Sequence, residues 1–508
     1  MEKQNHSETE LHFAPFYQQL LDTLAAYSLA LNTMYVDQYT IAPKKGANRA
    51  NDATAILSTA AFDLENDPQT VQKIEEYAKT LPEGCLEKKE VELRLDQLTD
   101  TKNVPSDLYK KYSRVRAQGQ TDWHEAKEKS DYSLFRPILE DIVRTTLEVS
   151  ACSPRFNPEK PYDYLLDKFE KGMNQEEYDR FFNILKEDLS DLVKKVASSK
   201  QPDETLMNTS IPVAEQDEFS NVLLDLLKAD RDRVYLSTTE HPFTDFLSHD
   251  DVRITTHYYP DMFLSAILST VHEYGHALFH LQTDPAFDKT MFIDAVGCAA
   301  HESQSRLLEN HIGRTKAFWQ TLLPELQKRF PAFHDIDADT LYHLVNISRP
   351  SLIRTEADEL TYPFHVMIRY EIEKKMINGE ADFDTLPQVW NDLYEEYLGV
   401  RPSNDKEGIL QDMHWSDGSI GYFPSYALGS AYAAQLYEAM ERDIDPQALL
   451  SEGRFDVIAK WLEDNVHHYG GSKTMREIVE EVSGKPFDPH IYTKYLKDKY
   501  TELYNLDD

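Results

Sequence analysis

Two histidines four residues apart, with a glutamate directly after the first, are the side chains of this sequence best suited to chemistry. Residues 267–283 read ILSTVHEYGHALFHLQT, and the spacing of their apolar residues predicts an amphipathic helix. Because residues four apart share one face of a helix, His272 and His276 can both reach one cation. Glu273 lies about 100° further round the helix and can hold a water molecule beside that cation. Zinc at such a site lowers the pKa of its water towards about 7, and a carboxylate can then take the proton.

This HExxH pattern has a simpler interpretation, a surface helix that carries two unrelated histidines. The neighbouring side chains argue against it, because a helix that is apolar on most sides buries polar residues at a cost; these neighbours are Val271, Ala277, Leu278 and Phe279. The metzincin extension requires glycine at 279 and histidine at 282, so Phe279 and Gln282 exclude that class. His280 does not share an ion with His272, because about 12 Å of helix axis separates them.

The third ligand must come from another part of the chain. Residues 295–313, AVGCAAHESQSRLLENHIG, predict a second helix that ends near Gly313 and whose small residues allow close packing. Glu302 in this segment completes a two-histidine, one-carboxylate site with an open position, which is a catalytic arrangement. An ordinary ion pair between Glu302 and Arg306, four residues further on, explains the same spacing equally well. The spacing alone leaves both alternatives open.

The elements around these residues are mostly helical. Helical spacing of apolar residues, or of opposite charges, occurs in four segments: 14–34, 71–97, 163–195 and 361–378. Residues 252–258, VRITTHY, alternate in polarity and predict a strand just before the HExxH helix. Clusters of Pro, Ser and Asn predict loops near 153–161 and 197–213, but neither loop has the composition of a flexible linker. The chain is therefore expected to form one large helical unit.

The composition limits the partners and the compartment. The 508 residues carry 53 basic and 89 acidic side chains, a net charge of −36, which argues against nucleic acid or an anionic membrane as a partner. No apolar stretch is long enough to span a bilayer, and the N-terminal residues lack the pattern of a secretory signal. Three widely spaced cysteines, Cys85, Cys152 and Cys298, suit a reducing compartment. These features predict a cytoplasmic protein.

Six motifs occur in an order that resembles the M32 family, the carboxypeptidase Taq type of metallopeptidases. They are HPF at 241–243, DVRIT at 251–255, HEYGH at 272–276, HESQS at 301–305, IRTEAD at 353–358 and GILQDMHW at 408–415. The chain length also agrees, and similar stretches continue to the C-terminus. Six ordered motifs are far more specific than the HExxH pattern alone.

The resemblance implies a zinc-dependent carboxypeptidase that accepts cobalt in place of zinc. Such enzymes release single residues from the free C-terminus of peptides, with broad preference and poor cleavage next to proline. The implied fold is mainly α, like that of neurolysin and angiotensin-converting enzyme, with a long cleft and a small β-sheet beside the HExxH helix. Residues 1–508 are expected to form one peptidase domain, with about 1–200 on one side of the cleft and the motifs in 201–508. Members are usually homodimers, so a homodimer is expected here.

The resemblance also implies roles for individual residues. The zinc ligands would be His272, His276 and Glu302, so the resemblance favours Glu302 as a metal ligand over an ordinary ion pair with Arg306. Glu273 would be the general base. Tyr422, in GYFPSY, would complement the charge that develops on the scissile oxygen.

Substrate binding is assigned to four further residues. Arg354 is the first candidate to hold the terminal carboxylate, and Arg253 is the second and would close the end of the groove. His241 and His414 would hydrogen-bond the substrate or the tetrahedral intermediate. Each role has a structural alternative: an ion pair of Arg354 with Glu356 or Asp358, a satisfied core position for either histidine, and aromatic packing of Tyr422 with Phe423 and Tyr426.

One position departs from related zinc peptidases. Thermolysin-type enzymes place an aspartate four residues after the ligand glutamate to support a zinc histidine, and Arg306 stands there in this chain. Asp294 and Asp358 are the substitutes considered from the sequence. Two other functions fit the same motifs: a neurolysin-like zinc oligoendopeptidase, which needs no carboxylate clamp, and a helical peptide-binding protein without activity.

Overall fold

The computed structural model describes residues 9–506, apart from the side chains of Lys44 and Asp294. About 67% of the chain is helical, which confirms the predicted mainly α fold. The α-helices are α1 Pro15–Thr40, α2 Ala47–Asn66, α3 Pro68–Ala78, α4 Leu86–Thr101, α5 Ser106–Lys129, α6 Tyr132–Ser150, α7 Pro161–Phe169, α8 Gln175–Ser198, α9 Val213–Leu226, α10 Phe263–Gln282, α11 Met291–Asp294, α12 Cys298–Arg306, α13 Lys316–Arg329, α14 Ala338–Val345, α15 Tyr362–Ile377, α16 Leu386–Leu398, α17 Pro424–Asp443, α18 Pro446–Ser451, α19 Phe455–Asn465, α20 Met475–Ser483 and α21 Pro489–Leu503. The strands are β1 Val234–Thr238, β2 Thr244–Ser248 and β3 Asp251–Thr256.

Most of the elements predicted from the sequence are present. The helices predicted at 14–34 and 361–378 are α1 and α15, and loops follow α6 and α8 where they were expected. The prediction of single helices at 71–97 and 163–195 is wrong, because each segment contains a loop between two helices. Pro82 lies in the first loop and has no N–H to continue a helix. Asn174 ends the second loop by capping α8, since its side chain accepts from the backbone N–H of Glu177 at 3.0 Å.

The small sheet lies directly beside α10. β3 is the central strand, parallel to β1 and antiparallel to β2. Its residues Val252, Ile254 and Thr256 are buried, as their alternation predicted. The predicted strand ends at Thr256, two residues earlier than expected. Because β3 lies between the other two strands, β2 is at the edge of the sheet. Residues 242–247, which include most of β2, line a large cavity.

That cavity separates two parts of the interior. The main core includes α10, α12, α15 and α17, whereas a smaller apolar cluster joins α1, α3 and α4. The cavity has a volume of about 870 Å³. Helices α1, α2 and α4 contribute one part of its lining, and β2, α10 and α12 contribute another.

Two glycines bring three helices of the main core unusually close together. A Cβ on Gly275 of α10 would lie 2.6 Å from the Cα of Ser305 in α12. A Cβ on Gly429 of α17 would lie 2.9 Å from the Cβ of Glu302, on the other side of α12. Because neither glycine has a side chain, α12 fits between α10 and α17, and Glu302 lies against the HExxH helix.

Candidate active site

The three predicted metal ligands come together at the cavity wall. The ligand atoms of His272, His276 and Glu302 all lie within 4.8 Å of one another. The Nε2 atoms of His272 and His276 are 3.9 and 3.7 Å from Oε2 of Glu302. Among residues 9–506, these three side chains form the group whose ligand atoms lie close enough together to hold one metal ion.

The chemistry of these donors fits a divalent cation. Two imidazole nitrogens and one carboxylate oxygen form the set that zinc uses when a position stays open for water or substrate. Both interpretations of Glu302 prove compatible, because its two oxygens have different partners. Oε1 accepts from Nε of Arg306 at 2.7 Å, whereas Oε2 faces the histidines. The ion pair therefore orients the carboxylate and leaves one oxygen available to a metal.

A second glutamate supports His272 from behind. Nδ1 of His272 lies 2.9 Å from Oε2 of Glu309, in the π-helical segment Leu307–Gly313 that continues α12. Arg306 and Arg314 also donate to this carboxylate, at 3.0 and 2.9 Å. Although burial opposes ionisation, Arg306, the hydrogen bond from His272 and Arg314 together hold the pKa of Glu309 well below its usual range. An ionised Glu309 accepts from Nδ1–H and directs Nε2 of His272 towards Glu302.

This contact corrects the search for a supporting carboxylate in the sequence. Asp358 is not that residue, because its carboxylate accepts from the hydroxyl of Thr361, three residues further on, at 2.7 Å. The side chain of Asp294 lies outside the described residues. Glu309 stands seven residues after Glu302, a spacing that keeps two residues on one face of a regular helix. Sequence reasoning missed it because only the position four residues after the ligand glutamate, and two aspartates, were considered.

The other histidines of this wall do not join the ligand group. His301 lies beside His276, with 3.3 Å between their Nδ1 atoms, and burial lowers its pKa to about 4. His280 stacks on Phe246 of β2, with ring centroids 4.5 Å apart. The expectation that His280 does not share the ion with His272 agrees with the composition of the ligand group.

Glu273 is buried at the cavity wall and is oriented by the edge strand. The hydroxyl of Thr244 lies 2.7 Å from its Oε2 and 2.9 Å from its backbone oxygen. Burial raises the pKa of Glu273, while His272 and the hydrogen bond from Thr244 oppose that rise. Thr244 follows the HPF motif directly, and sequence reasoning missed it because the contact joins residues 29 positions apart.

Tyr422 lines the same cavity together with a second tyrosine that the sequence offered only as a packing partner. The rings of Tyr422 and Tyr426 are 5.1 Å apart, and both residues lie on the cavity wall with the ligand group. His414 has its Nε2 3.2 Å from the hydroxyl of Tyr426. Burial, with the charge of Arg354, lowers the pKa of His414 to about 4, so its ring is neutral at physiological pH.

Arg354 is not among the side chains that line the cavity. Its Nε and Nη2 atoms lie 3.1 and 2.9 Å from Oδ1 of Asp412, and its Nη1 lies 3.1 Å from the hydroxyl of Tyr362. Its guanidinium is also 4.9 Å from the ring centroid of Tyr426, which does line the cavity. Arg354 therefore lies one side chain behind the wall. Its ion-pair partner is Asp412, not either of the acids considered from the sequence.

The two remaining predicted residues lie outside the lining of the cavity. Arg253 of β3 forms an ion pair with Asp251, with contacts of 3.0 and 2.8 Å. His241 is exposed, and its backbone oxygen accepts from Thr239. The next residues of the HPF motif, Pro242 and Phe243, do line the cavity.

A mainly helical fold with this histidine, histidine and glutamate group defines a metallopeptidase, and the comparisons with known proteins name the family. The family model described as carboxypeptidase Taq (M32) metallopeptidase matches residues 16–500, so the chain belongs to the M32 family and is a metallocarboxypeptidase. Carboxypeptidase 1 of Bacillus subtilis is 40% identical over 498 residues, which cover 96% of this chain and 98% of that protein.

Solved structures agree with this assignment. The Pyrococcus furiosus carboxypeptidase is 33% identical with a TM-score of 0.92, and the match covers 97% of this chain and 100% of that one. The M32 carboxypeptidase from Deinococcus radiodurans R1 is 30% identical with a TM-score of 0.92, covering 96% and 99%. Within residues 9–506, none of the helices combines the length and the apolar character that crossing a bilayer requires.

Proposed function

We propose that this metallocarboxypeptidase is a zinc enzyme that releases single amino acids from the free C-terminus of peptides. Broad preference, poor cleavage next to proline and a homodimeric state, which the resemblance implies, belong to the same proposal, as does the cytoplasmic location expected from the composition. The observation that carries it is the convergence of His272, His276 and Glu302 at a cavity wall that also holds Glu273.

His272, His276 and Glu302 would hold the metal, with Nε2 of each histidine and Oε2 of the glutamate facing one another. Zinc, or cobalt in its place, would supply Lewis-acid chemistry at the scissile carbonyl when bound.

Glu273 acts in this proposal as the general base and then as the acid. Thr244 donates to Oε2 of Glu273, which leaves Oε1 to accept a proton from the attacking water. The carboxyl group then passes this proton to the departing amine. Tyr422, and Tyr426 beside it, would donate hydrogen bonds to the oxygen on which negative charge develops.

Recognition of the terminal carboxylate is proposed for the wall that contains Tyr426. Arg354 remains the candidate cation, and a substrate carboxylate there would share its guanidinium with Asp412. His414 would assist through its contact with Tyr426. Arg253 and His241 stay proposals for the far end of the groove, where the HPF motif reaches the cavity.

A neurolysin-like oligoendopeptidase, the alternative drawn from the sequence, disagrees with the family match, which makes the chain a metallocarboxypeptidase. Such an enzyme uses the same metal chemistry without a carboxylate clamp.

The mechanism is tested by Glu273→Gln, with zinc content and turnover measured on the same preparation. We expect the variant to keep its zinc and to lose activity by at least about a thousandfold, because amide nitrogen and oxygen do not accept and pass on the proton. Near-normal turnover of the zinc-loaded variant would exclude Glu273 as the base.

A further inference from the structure

The edge strand β2 presents different side chains on its two faces. Thr244 and Phe246 face α10, where they contact Glu273 and His280. Because side chains alternate along a strand, Asp245 points to the opposite face, together with the residue two positions before it, Phe243. Phe243 and Asp245 both line the cavity.

Helix α1 lies against β2. The side-chain amide of Asn32 donates to the backbone oxygen of Phe246 at 3.0 Å. Tyr35 and Tyr39 follow Asn32 by three and seven residues, so they lie on the same side of α1. Their rings are 4.8 Å apart and lie 5.4 and 6.4 Å from the ring of Phe243. The two tyrosines are 47% and 56% exposed, so the three rings form an accessible aromatic cluster at the edge of the cavity.

A carboxylate without an ion-pair partner lies within electrostatic reach of this cluster. Asp245 lies two residues from Phe243 on the same face of the strand, and both line the cavity. Burial, Tyr39 and then Asp245 raise the pKa of Tyr35. Among the ion pairs of residues 9–506, none involves Asp245. Arg253 is opposite it in the register of β2 and β3, but the guanidinium of Arg253 is bound by Asp251.

The local charges favour a cation. Asp245 and Asp251 carry two negative charges against the single positive charge of Arg253, so one negative charge is left uncompensated. Burial raises the pKa of Asp245 to about 6, and this carboxyl is therefore largely ionised at neutral pH. Aromatic rings beside a carboxylate attract ammonium and guanidinium groups through cation–π and ionic contacts.

We propose that this region is a subsite for a lysine or arginine side chain of the bound peptide, an inference that rests on the proposed function. We call it the cationic subsite and define it by four residues: Tyr35, Tyr39, Phe243 and Asp245.

The test uses short peptides with a free C-terminus in which one position at a time is lysine or norleucine, a neutral residue of similar length. For one position, kcat/KM for the lysine peptide should exceed that for the norleucine peptide by about tenfold. Asp245→Asn should bring this ratio close to one and leave kcat/KM for the norleucine peptide nearly unchanged. Tyr35→Leu should lower the ratio in part.

Asp250→Asn is the matched control. Asp250 is exposed in the connection between β2 and β3 and does not line the cavity. Its replacement changes the net charge by the same amount as Asp245→Asn. The ratio of kcat/KM for the lysine peptide to that for the norleucine peptide should be unchanged in Asp250→Asn. An unchanged ratio in Asp245→Asn, an equal loss in Asp250→Asn, or no lysine preference at any position would overturn the proposal.

A binding measurement separates this inference from the proposed function. The dissociation constants of the same peptides are measured with the zinc-loaded Glu273→Gln protein. If the native enzyme releases no residue from any peptide, the proposed function fails, yet tighter binding of one lysine peptide, lost in the double variant with Asp245→Asn, still supports the subsite. Equal binding of all lysine and norleucine pairs contradicts the subsite even when the enzyme is active.

Discussion

Glu309 lies 2.9 Å from Nδ1 of His272 and so supports a metal-site histidine from outside the ligand group. Two arginines hold Glu309 in turn, and one of them, Arg306, also binds the carboxylate of Glu302. Arg306 therefore connects the supporting glutamate to the ligand glutamate. The orientation of the site depends on a buried network that extends beyond the three ligands.

Glu309→Gln tests this network. The amide keeps the shape of the side chain but loses the charge that holds a proton on Nδ1 of His272 and so leaves Nε2 free for the metal, and zinc affinity should fall by about 10- to 100-fold. Competition with a chelator of known affinity measures the change. Glu380→Gln, at an exposed position, is the control and should have native affinity. A Glu309→Gln protein that also holds zinc with native affinity would contradict the supporting role.

Thr244→Val tests the orientation of Glu273. Valine has a similar shape but no hydroxyl, so the carboxylate loses the 2.7 Å hydrogen bond that directs it. We expect kcat to fall about tenfold with zinc content unchanged, because the base is retained but is held less firmly. Steady-state kinetics on protein of measured zinc content gives the answer, and an unchanged kcat would show that the hydroxyl has no part in orienting the base.

Gly275→Ala tests the close packing of α12 against the HExxH helix. The added methyl group would lie 2.6 Å from the Cα of Ser305, so the helices must separate, at a cost of about 1–3 kcal/mol. We expect a lower Tm and weaker zinc binding, since α12 carries Glu302. Gly46→Ala adds a methyl group with no atom within 4 Å and should change neither property. Native zinc affinity in Gly275→Ala would mean that this packing does not position Glu302.

The buried carboxyl of Glu373, which is not part of the metal site, should make the free energy of unfolding depend on pH. Burial raises its pKa from 4.5 to about 7, although Tyr162, Trp415 and the backbone of Gly421 donate to it. Between pH 4.5 and about 7, the folded protein therefore keeps a proton on Glu373 that the unfolded chain has already released. For this reason Glu373 makes folding less favourable as the pH rises from about 5 to 8. The full shift corresponds to about 3 kcal/mol.

Glu373→Gln removes this ionisation. Urea unfolding at pH 5 and pH 8 should show that the variant gains stability relative to the native protein as the pH rises. A stability difference that is the same at both pH values would contradict the raised pKa.

The sequence predicted those parts of the site that depend on one helix or on a motif. Helical spacing alone placed His272 and His276 together, whereas Glu302 needed the family resemblance to separate a metal ligand from an ion pair. Glu309 was missed because the search followed the thermolysin pattern, an aspartate four residues after the ligand glutamate, whereas the supporting carboxylate lies seven residues after it. The partner of Arg354 was missed because Asp412 is 58 residues away, and that contact depends on how separate segments fold together.

The same distinction applies to the fold. The long apolar pattern of α10 and the alternation of β3 were sufficient to predict both elements. The loops that divide 71–97 and 163–195 were missed, because charged helices of this kind have similar composition on both sides of a short break.

The most direct test of the account compares two peptides that are identical except for a free or an amidated C-terminus. Zinc is measured on the same purified protein, and products are followed by mass spectrometry. We expect about one zinc per chain and stepwise loss of single residues from the free peptide only. Equal internal cleavage of both peptides would contradict it, because the enzyme would then act without recognising a terminal carboxylate.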